Sequence, residues 1–508
     1  MAVDKLFNKI LVANRGEIAV RIIRACKELR IHTVAVYSEA DRAALHVRVA
    51  DEAYCIGPAP ASRSYLRTDT IIEVAKKSGC DAIHPGYGFL SEQADFAELC
   101  AAEGITFIGP NPHAIRTMGS KTEARAVAAA QDVPLVSGMQ EELIDDQQAL
   151  QWAATIGYPL MVKAVNGFGG KGMRKIERPE DLTKLVRAAR SEAYNSFGSR
   201  AVYLERFIKK PRHIEVQIFG DKQGNIIHFM ERECSIQYRH QKMIEEAPSP
   251  IVDDDLRRKL GEAAIRIARA VGYDSAGTVE FLVCAATREF FFLEMNTRLA
   301  IEHPITEAIT GSDLCKEMIR VAAGLPLAFR QEEISIRGHA IECHIHAEDP
   351  DNNFYPCAGR IISLRTPGGP GVRDDSGMYE GFEVPVYYDP HLAKLVVWAS
   401  TRKRCISRTR RALSEYFVKG VKTTLPFSKR VMQNEHFIAG DYDTAFIDCT
   451  FVKEDADREK PHQNVALLAV AVRAFRSDQA RSRKSMAVSD STMSATESGW
   501  KMSGRIKR

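Results

Sequence analysis

No apolar run in this sequence approaches the ~18 residues of a bilayer-crossing helix. No Cys-x-x-Cys pair occurs among its 11 cysteines, and the formal charge is only +4 over 508 residues. Each absence excludes a class. Without a spanning run, no membrane segment is expected. An odd cysteine count with no close pair argues against a disulfide framework and against a zinc site. A charge this small for the size leaves no electrostatic footprint for a nucleic-acid partner. The opening MAVDKLFNKILVANRG has too short an apolar segment and the wrong flanks for a signal peptide, so a cytoplasmic location is expected. No internal repeat is found. What is present is the composition of a soluble globular enzyme or scaffold, 45% hydrophobic and 27% charged. At this length three or more domains are expected rather than a single core.

Lys9–Ala13 (KILVA) reads as a buried strand, Asn14 to Gly16 as a turn, and Glu17–Leu29 as a helix with apolar residues at Ile18, Ile22, Ala25 and Leu29; His32–Tyr37 returns as a second strand. This is a strand–helix–strand unit of an open α/β sheet. Its turn lacks the full G-x-G-x-x-G pattern, which favours a structural role over dinucleotide binding. Ala82–Glu92 (AIHPGYGFLSE) reads as a strand and then a loop, either a ligand lip or a tight turn. Met118–Ala130 reads as one helix with Lys121 in its first turn, where a cation opposes the helix dipole and an anion is expected beside it. Pro159–Met173 reads as a strand followed by glycines at 167, 169, 170 and 172, with Lys163 and Lys171 adding positive charge. Such a loop suits a lid over a triphosphate, although hairpins also use glycine.

Val202–Phe207 and His213–Phe219 read as strands with alternating faces, Leu256–Val271 as an amphipathic helix, and the polar run Phe229–Ala247 lies between apolar strands. From Gly338 the chain turns β-rich. It reads there as a separate, mainly antiparallel domain ending in the helices Ser407–Phe417 and Leu425–Gln433. The basic run Arg402–Arg411 reads as a solvated helix face. Val465–Phe475 reads as one more helix, and the Ser-, Arg-, Ala- and Thr-rich stretch 477–498 as flexible chain.

Chemistry is concentrated in EMNTRLAIEHPITE, Glu294 to Glu307. If the chain stays extended, a period of two puts Glu294, Asn296, Arg298, Ala300 and Glu302 on one face. Two acids, an amide and an arginine suit a divalent cation with a phosphorylated ligand, while an amphipathic edge strand would give the same alternation. A hairpin of Thr278–Val283 with Glu289–Asn296 brings Glu280 towards Glu294. Two carboxylates held together imply a cation.

The motifs KILVANRGEIAVRIIRACKEL, HPGYGFLSE, MGSK, KAVNGFGGKGM, PRHIEVQI, ERECSIQYRHQK, EEAP, EMNTR with EHPITE, GHAIEC with AEDP, and YDTAFI follow one another along the chain. Together they resemble the biotin carboxylase family, a branch of the ATP-grasp enzymes, over about residues 6–450. The resemblance implies a multidomain α/β and α+β fold. An N-terminal open α/β domain would span 1–117. An ATP-grasp domain would span 118–330, with a mobile glycine-rich lid near 135–205. A mainly antiparallel β domain would span 331–450 and an extension 451–508. It implies ATP and Mg²⁺ or Mn²⁺ as cofactors, bicarbonate as substrate, biotin as a carrier-bound substrate, and a homodimer. No AMKM-type biotin-attachment signature occurs, so a biotin carboxyl carrier protein and a carboxyltransferase subunit would be separate partners.

By position, the resemblance places Lys121, Lys163, Gly169, Gly170, His213 and Gln237 at ATP, chiefly its phosphates and ribose, and Glu205, Arg206 and Ile208 at the adenine. Glu280, Glu294 and Asn296 would organise the metal. Glu302 would be the general base for bicarbonate, which Arg298 and Lys242 would hold. Five positions depart from the family's usual residues: Ala300 stands for Gln, His344 for the arginine expected to stabilise the biotin enolate, Phe168 for a lid glycine, Tyr238 for Arg, and His346 for Asn. Two rival readings follow, an ATP-binding homologue impaired in carboxylation with a structural or regulatory role, and an ATP-grasp enzyme with a different acceptor.

Overall fold

The computed structural model describes residues 6–139, 142–165, 172–239 and 241–451. Five parallel strands open the chain: β1 (Lys9–Val12), β2 (His32–Tyr37), β3 (Glu52–Cys55), β4 (Ala82–His84) and β5 (Thr106–Phe107), in the order β3-β2-β1-β4-β5. The helix Gly16–Glu28 returns the chain from β1 to β2 and buries Ile18, Ile22 and Ala25. Gly16 starts it at φ +65°, a conformation that a side chain would strain. Asn14 donates to the carbonyls of Pro85 (2.6 Å) and Tyr87 (2.7 Å), so the first turn anchors the loop after β4 at the carboxyl ends of the strands.

A second, three-stranded sheet has the order β7-β6-β8, with β6 at Leu160–Ala164, β7 at Arg174–Ile176 and β8 at Val202–Arg206. Helices Asp146–Ile156 and Leu182–Phe197 cover it and share its core through Ala149, Ala153, Val186 and Ala189. The glycine loop expected between β6 and β7, with Phe168, Gly169, Gly170 and Lys171, lies outside the described residues, as do the helix at 465–475 and the stretch 477–498.

The remaining large sheet has eight strands. β9 (Pro211–Gly220), β10 (Ile226–Tyr238), β11 (Gln241–Ala247), β12 (Ala276–Cys284), β13 (Phe290–Asn296), β14 (His339–His346), β15 (Val372–Ser376) and β16 (His391–Ala399) pair antiparallel in the order β13-β12-β9-β10-β11-β14-β16-β15. The β-rich region after Gly338 is mainly antiparallel, as the sequence suggests, and its strands β14, β16 and β15 extend the sheet of β9–β13. β11 needs a partner on its outer edge, and β14 supplies it with Ile244 opposite Cys343 and Glu246 opposite Ile341. The helix Asp254–Ala270 closes the sheet with Leu256, Leu260, Ala264 and Ile267 buried. Among the described residues no helix is long and apolar enough to cross a membrane.

Two other expectations change. The helix read over Met118–Ala130 is two helices, Pro112–Gly119 and Lys121–Ala130, because the Ser120 side chain accepts from the Glu123 N–H and starts a new helix. The basic run Arg402–Arg411 is only partly solvated. Arg410 Nε reaches the Met432 carbonyl at 2.7 Å, and Arg402 enters the fold.

Arg402 meets Glu246 through Nε (2.7 Å) and Nη2 (2.9 Å), His339 Nε2 approaches the same carboxylate at 2.6 Å, and the Tyr442 hydroxyl completes the cluster. This one acid joins β11, β14 and the helix Arg402–Glu415. Burial by itself would raise its pKa, but His339 and Arg402 outweigh burial and hold it near 2, against an ordinary 4.5. A depressed folded-state pKa adds stability that is complete above pH 4.5 and lost as pH falls towards 2. Glu246→Gln is expected to cost about 3 kcal/mol at pH 7 and to flatten the stability profile between those two pH values. Urea unfolding at a series of pH values measures both.

Candidate active site

The sheet register sets the site. Arg232 on β10 lies opposite Glu215 on β9, Glu215 opposite Glu280 on β12, and Glu280 opposite Glu294 on β13. Opposed residues in an antiparallel ladder share a face, so four strands carry one continuous row of charge. All but Glu294 are at most 3% exposed. Arg232 is fully buried and saturated. Nη1 donates to Gln217 Oε1 (2.8 Å) and Thr306 Oγ1 (2.9 Å), Nη2 to Glu215 Oε2 (2.8 Å) and Thr278 Oγ1 (2.9 Å), and Nε to Glu215 (3.1 Å).

Lys242, from β11, is the second cation. It contacts Glu215, and its Nζ lies 3.1 Å from Glu280 Oε1 and 3.3 Å from Glu302 Oε1. Burial disfavours its charge, but Glu280 and Glu302 more than compensate and its pKa rises. His213 accepts at Nδ1 from the Gln237 amide (2.9 Å), which directs its Nε2–H at Glu280 (2.9 Å). Burial tends to raise the Glu280 pKa, yet Lys242 and His213 bring it far below the usual range. Glu294 moves the other way, raised by burial and by Glu280 and opposed by Lys121. Burial lowers the pKa of Lys121, and Glu294 resists that shift.

β13 ends at Asn296, and Glu302 caps the helix His303–Thr310, so the chain is not extended through Glu302 as the period-two reading assumed. The polar groups converge by other means. Asn296 Nδ2 donates to Glu280 (2.7 Å), its Oδ1 accepts from Arg298 Nη2 (3.2 Å), and Arg298 Nε donates to Glu92 (3.0 Å). Glu92 belongs to the HPGYGFLSE loop, which is thereby part of the site wall. Glu302 is buried, which would raise its pKa, but Lys242, Arg232 and His344 hold it near 2. Ala300 is 2% exposed, and its carbonyl accepts from His303 Nδ1 (2.8 Å).

On the lid, Lys163 pairs with Glu205, and Arg125 stands 3.8 Å away from the same carboxylate. Arg206 is exposed and Ile208 half-buried. Gly138 runs so close to β8 that a Cβ would sit 2.6 Å from Glu205 Cβ. Gly169, Gly170 and Phe168 lie outside the described residues. At the other end His344 is buried, with Nε2 3.0 Å from Glu245 and 3.3 Å from Glu342. Burial opposes its charge, but the two acids raise its pKa well above the ordinary value. His346 Nε2 lies 3.1 Å from the Gln241 amide, and Tyr238 packs on Phe354 at 4.3 Å.

Sequence reasoning missed Glu215, Arg232, Glu92, Glu245, Glu342 and His391. Glu215 stands two residues after His213 and shares its face by strand period alone, so it was findable. Arg232 sits in a run of charges whose burial shows only once β10 is seen inside the sheet.

Buried Glu280 and half-buried Glu294 are opposed and mutually repelling, with the Asn296 amide beside them. This hard oxygen donor set fits Mg²⁺ or Mn²⁺. Fold and donors together define a nucleotide-dependent ligase of the ATP-grasp class. Three family profiles match in order: "Biotin carboxylase, N-terminal domain" over residues 6–115, "Carbamoyl-phosphate synthase L chain, ATP binding domain" over 120–330, and "Biotin carboxylase C-terminal domain" over 342–449. The biotin carboxylase of Nostoc sp. is 51% identical over 441 residues, 87% of this chain and 98% of its own. Biotin carboxylase 1 of Bacillus subtilis is 49% identical over 443 residues, 87% of this chain and 98% of its own. The biotin carboxylase domain dimer of Hydrogenobacter thermophilus 2-oxoglutarate carboxylase, solved with MgADP, ADP and bicarbonate, superposes with a TM-score of 0.85 at 44% identity, covering 90% of this chain and all of that one. The chain belongs to the biotin carboxylase family.

Replacing Arg232 with Met removes the cation from a buried pair and leaves Glu215 facing Glu280. Arg232→Met is expected to destabilise the protein by about 3–5 kcal/mol. Chemical denaturation of the purified variant beside the wild type measures the loss.

Proposed function

We propose that this protein carboxylates biotin on a carrier protein, using ATP and bicarbonate, as the biotin carboxylase subunit of a multi-subunit carboxylase. The observation that carries this reading is the convergence of Glu302, Lys242, Arg298 and Glu280 within one buried network joined to the Glu280–Glu294 pair. Lys121, Lys163, His213 and Gln237 bind the nucleotide's phosphates and ribose, with Gly169 and Gly170 in the lid loop, and Glu205, Arg206 and Ile208 take the adenine end. Glu280, Glu294 and Asn296 hold Mg²⁺ or Mn²⁺, which when bound neutralises charge on the transferring phosphoryl group.

Arg298 and Lys242 hold bicarbonate by charge, and Glu302 accepts its proton. With its pKa held near 2, Glu302 is ionised at neutral pH but is a weak base. Proton transfer therefore runs together with attack of the bicarbonate oxygen on the γ-phosphorus, because the O–H becomes more acidic as the new P–O bond forms. ADP leaves and carboxyphosphate breaks into CO₂ and phosphate. The phosphate takes the ureido proton of biotin, and the resulting enolate attacks CO₂. Closure of the lid keeps water from the carboxyphosphate.

The partners in this reading are a biotin carboxyl carrier protein and a carboxyltransferase subunit, and the protein pairs with a second copy. We place it in the cytoplasm, supported by cysteines that are all unpaired in the structure. ADP formation by the purified protein is expected to need bicarbonate and to rise with free biotin or a biotinylated carrier. ATP cleavage indifferent to both would overturn the reading, and ATP binding with no turnover would favour the impaired homologue. Glu302→Gln is expected to lower bicarbonate-dependent turnover by about 10²–10⁴-fold. MgATP affinity, followed by calorimetry, should stay within about threefold, because Glu302 acts on bicarbonate and not on the nucleotide.

A further inference from the structure

Three histidines meet beside the bicarbonate end of the site. His344 and His346 are alternate residues on β14, and His391 begins the neighbouring strand β16, opposite His346. Their rings lie 5.0 to 5.7 Å apart, and one nitrogen from each falls within 4.8 Å of the other two. His344 and His346 are 3% and 2% exposed. A lone buried histidine is ordinarily satisfied by a hydrogen bond, but here His346 Nδ1 and His391 Nε2 are buried and meet no hydrogen-bond partner among the described residues. His391 Nε2 lies 3.9 Å from the Glu17 carboxylate.

The surrounding charge is negative. Glu245, Glu342 and Glu17 are buried, and the cations facing them are His344, 3.0 Å from Glu245, and Lys394, 3.1 Å from Glu17. Two imidazole nitrogens without partners beside three buried carboxylates call for an explanation, and a bound cation is one that fits both. The nitrogen donors select against Mg²⁺, which prefers oxygen, and suit Zn²⁺ and its neighbours. Glu245 accepts at one ring nitrogen of His344, which orients the other inward in the manner of the outer partners of metal-bound histidines, while the Gln241 amide donates to His346 Nε2. The missing Cys-x-x-Cys pairs exclude a cysteine-based zinc site and leave a histidine one open.

The geometry points to a second metal site, in which His344, His346 and His391 bind one Zn²⁺-class divalent ion with a coordination position left open. Bonds of 2.0–2.1 Å hold tetrahedral nitrogens about 3.4 Å apart, so the rings close by about an ångström on binding. The ion would put positive charge where His344 stands in place of the family's usual arginine. That role rests on the biotin carboxylase reading, whereas uptake of the ion does not.

The test uses the full chain, stripped with chelator and dialysed against Zn²⁺ or Co²⁺ in excess Mg²⁺ to keep the oxygen site filled. About one equivalent is expected to remain bound, and Co²⁺ should give the visible bands of a low-symmetry nitrogen site. His346→Asn combined with His391→Gln should weaken Zn²⁺ binding at least about 100-fold, with unchanged circular dichroism and MgATP affinity. His391→Gln alone provides the same readout if the double variant does not fold. Failure of the wild type to retain the ion, or undiminished retention in the variants, overturns the site. Biotin-dependent turnover is measured separately, so loss of the functional reading would leave the metal result standing.

Discussion

The structure depends on neutralising a row of carboxylates inside a sheet. Glu215, Glu280 and Glu294 come from adjacent strands and face one way, an arrangement that would repel in a low dielectric. Arg232 offsets the first from within the sheet, Lys242 crosses from β11 to reach Glu215, Glu280 and Glu302, and His213 donates to Glu280. Removing any of these cations strips a buried carboxylate of one of its partners, which ties the fold of the central sheet to the chemistry of the site. Glu294 keeps the least compensation. Its raised pKa marks the end of the row where a further cation lowers the energy most.

The same logic separates the lid from the body. Lys163 pairs with Glu205 on a neighbouring lid strand, and burial disfavours its charge less than Glu205 and the pairing restore it. A triphosphate carries more charge than one carboxylate, so on the proposed reading a nucleotide would compete with Glu205 for this lysine. Within the body, by contrast, Arg298 is fixed between Glu92 and Asn296 before any ligand arrives. On the proposed reading, the bicarbonate end is preorganised, while the nucleotide end exchanges one partner for another.

Local pattern made much of this legible. His32–Tyr37 is a strand over the residues that its composition marks, and Glu280 faces Glu294 as the hairpin reading requires. What period two could not supply was the end of β13. Thr297 and Arg298 are drawn to Glu92, more than two hundred residues earlier in the chain, and Pro304 at the first turn starts a helix that Glu302 caps. Long-range pairing also hid the continuity of the sheet across Gly338, because the edge that β14 fills belongs to β11, some ninety residues back. Arg402 looked like surface charge because its partner, Glu246, lies 156 residues earlier in the chain.

The departures at Ala300 and His344 now have different physical meanings. Ala300 is buried against its own helix start and its side chain presents no donor. His344 is cationic, but its charge is already committed. Burial raises the Glu245 pKa to about 7 despite the histidine, and Glu342 shares the same imidazole. A proton shared among one histidine and two carboxylates leaves little net positive charge to face a developing enolate, whereas an arginine would carry its own at any pH. On the proposed reaction the enolate then needs its positive charge from Lys242 or from a metal ion that takes the place of the His344 proton. The two neighbouring histidines each keep one buried ring nitrogen that meets no donor or acceptor among the described residues, which makes the second route the one for which the fold already holds ligands.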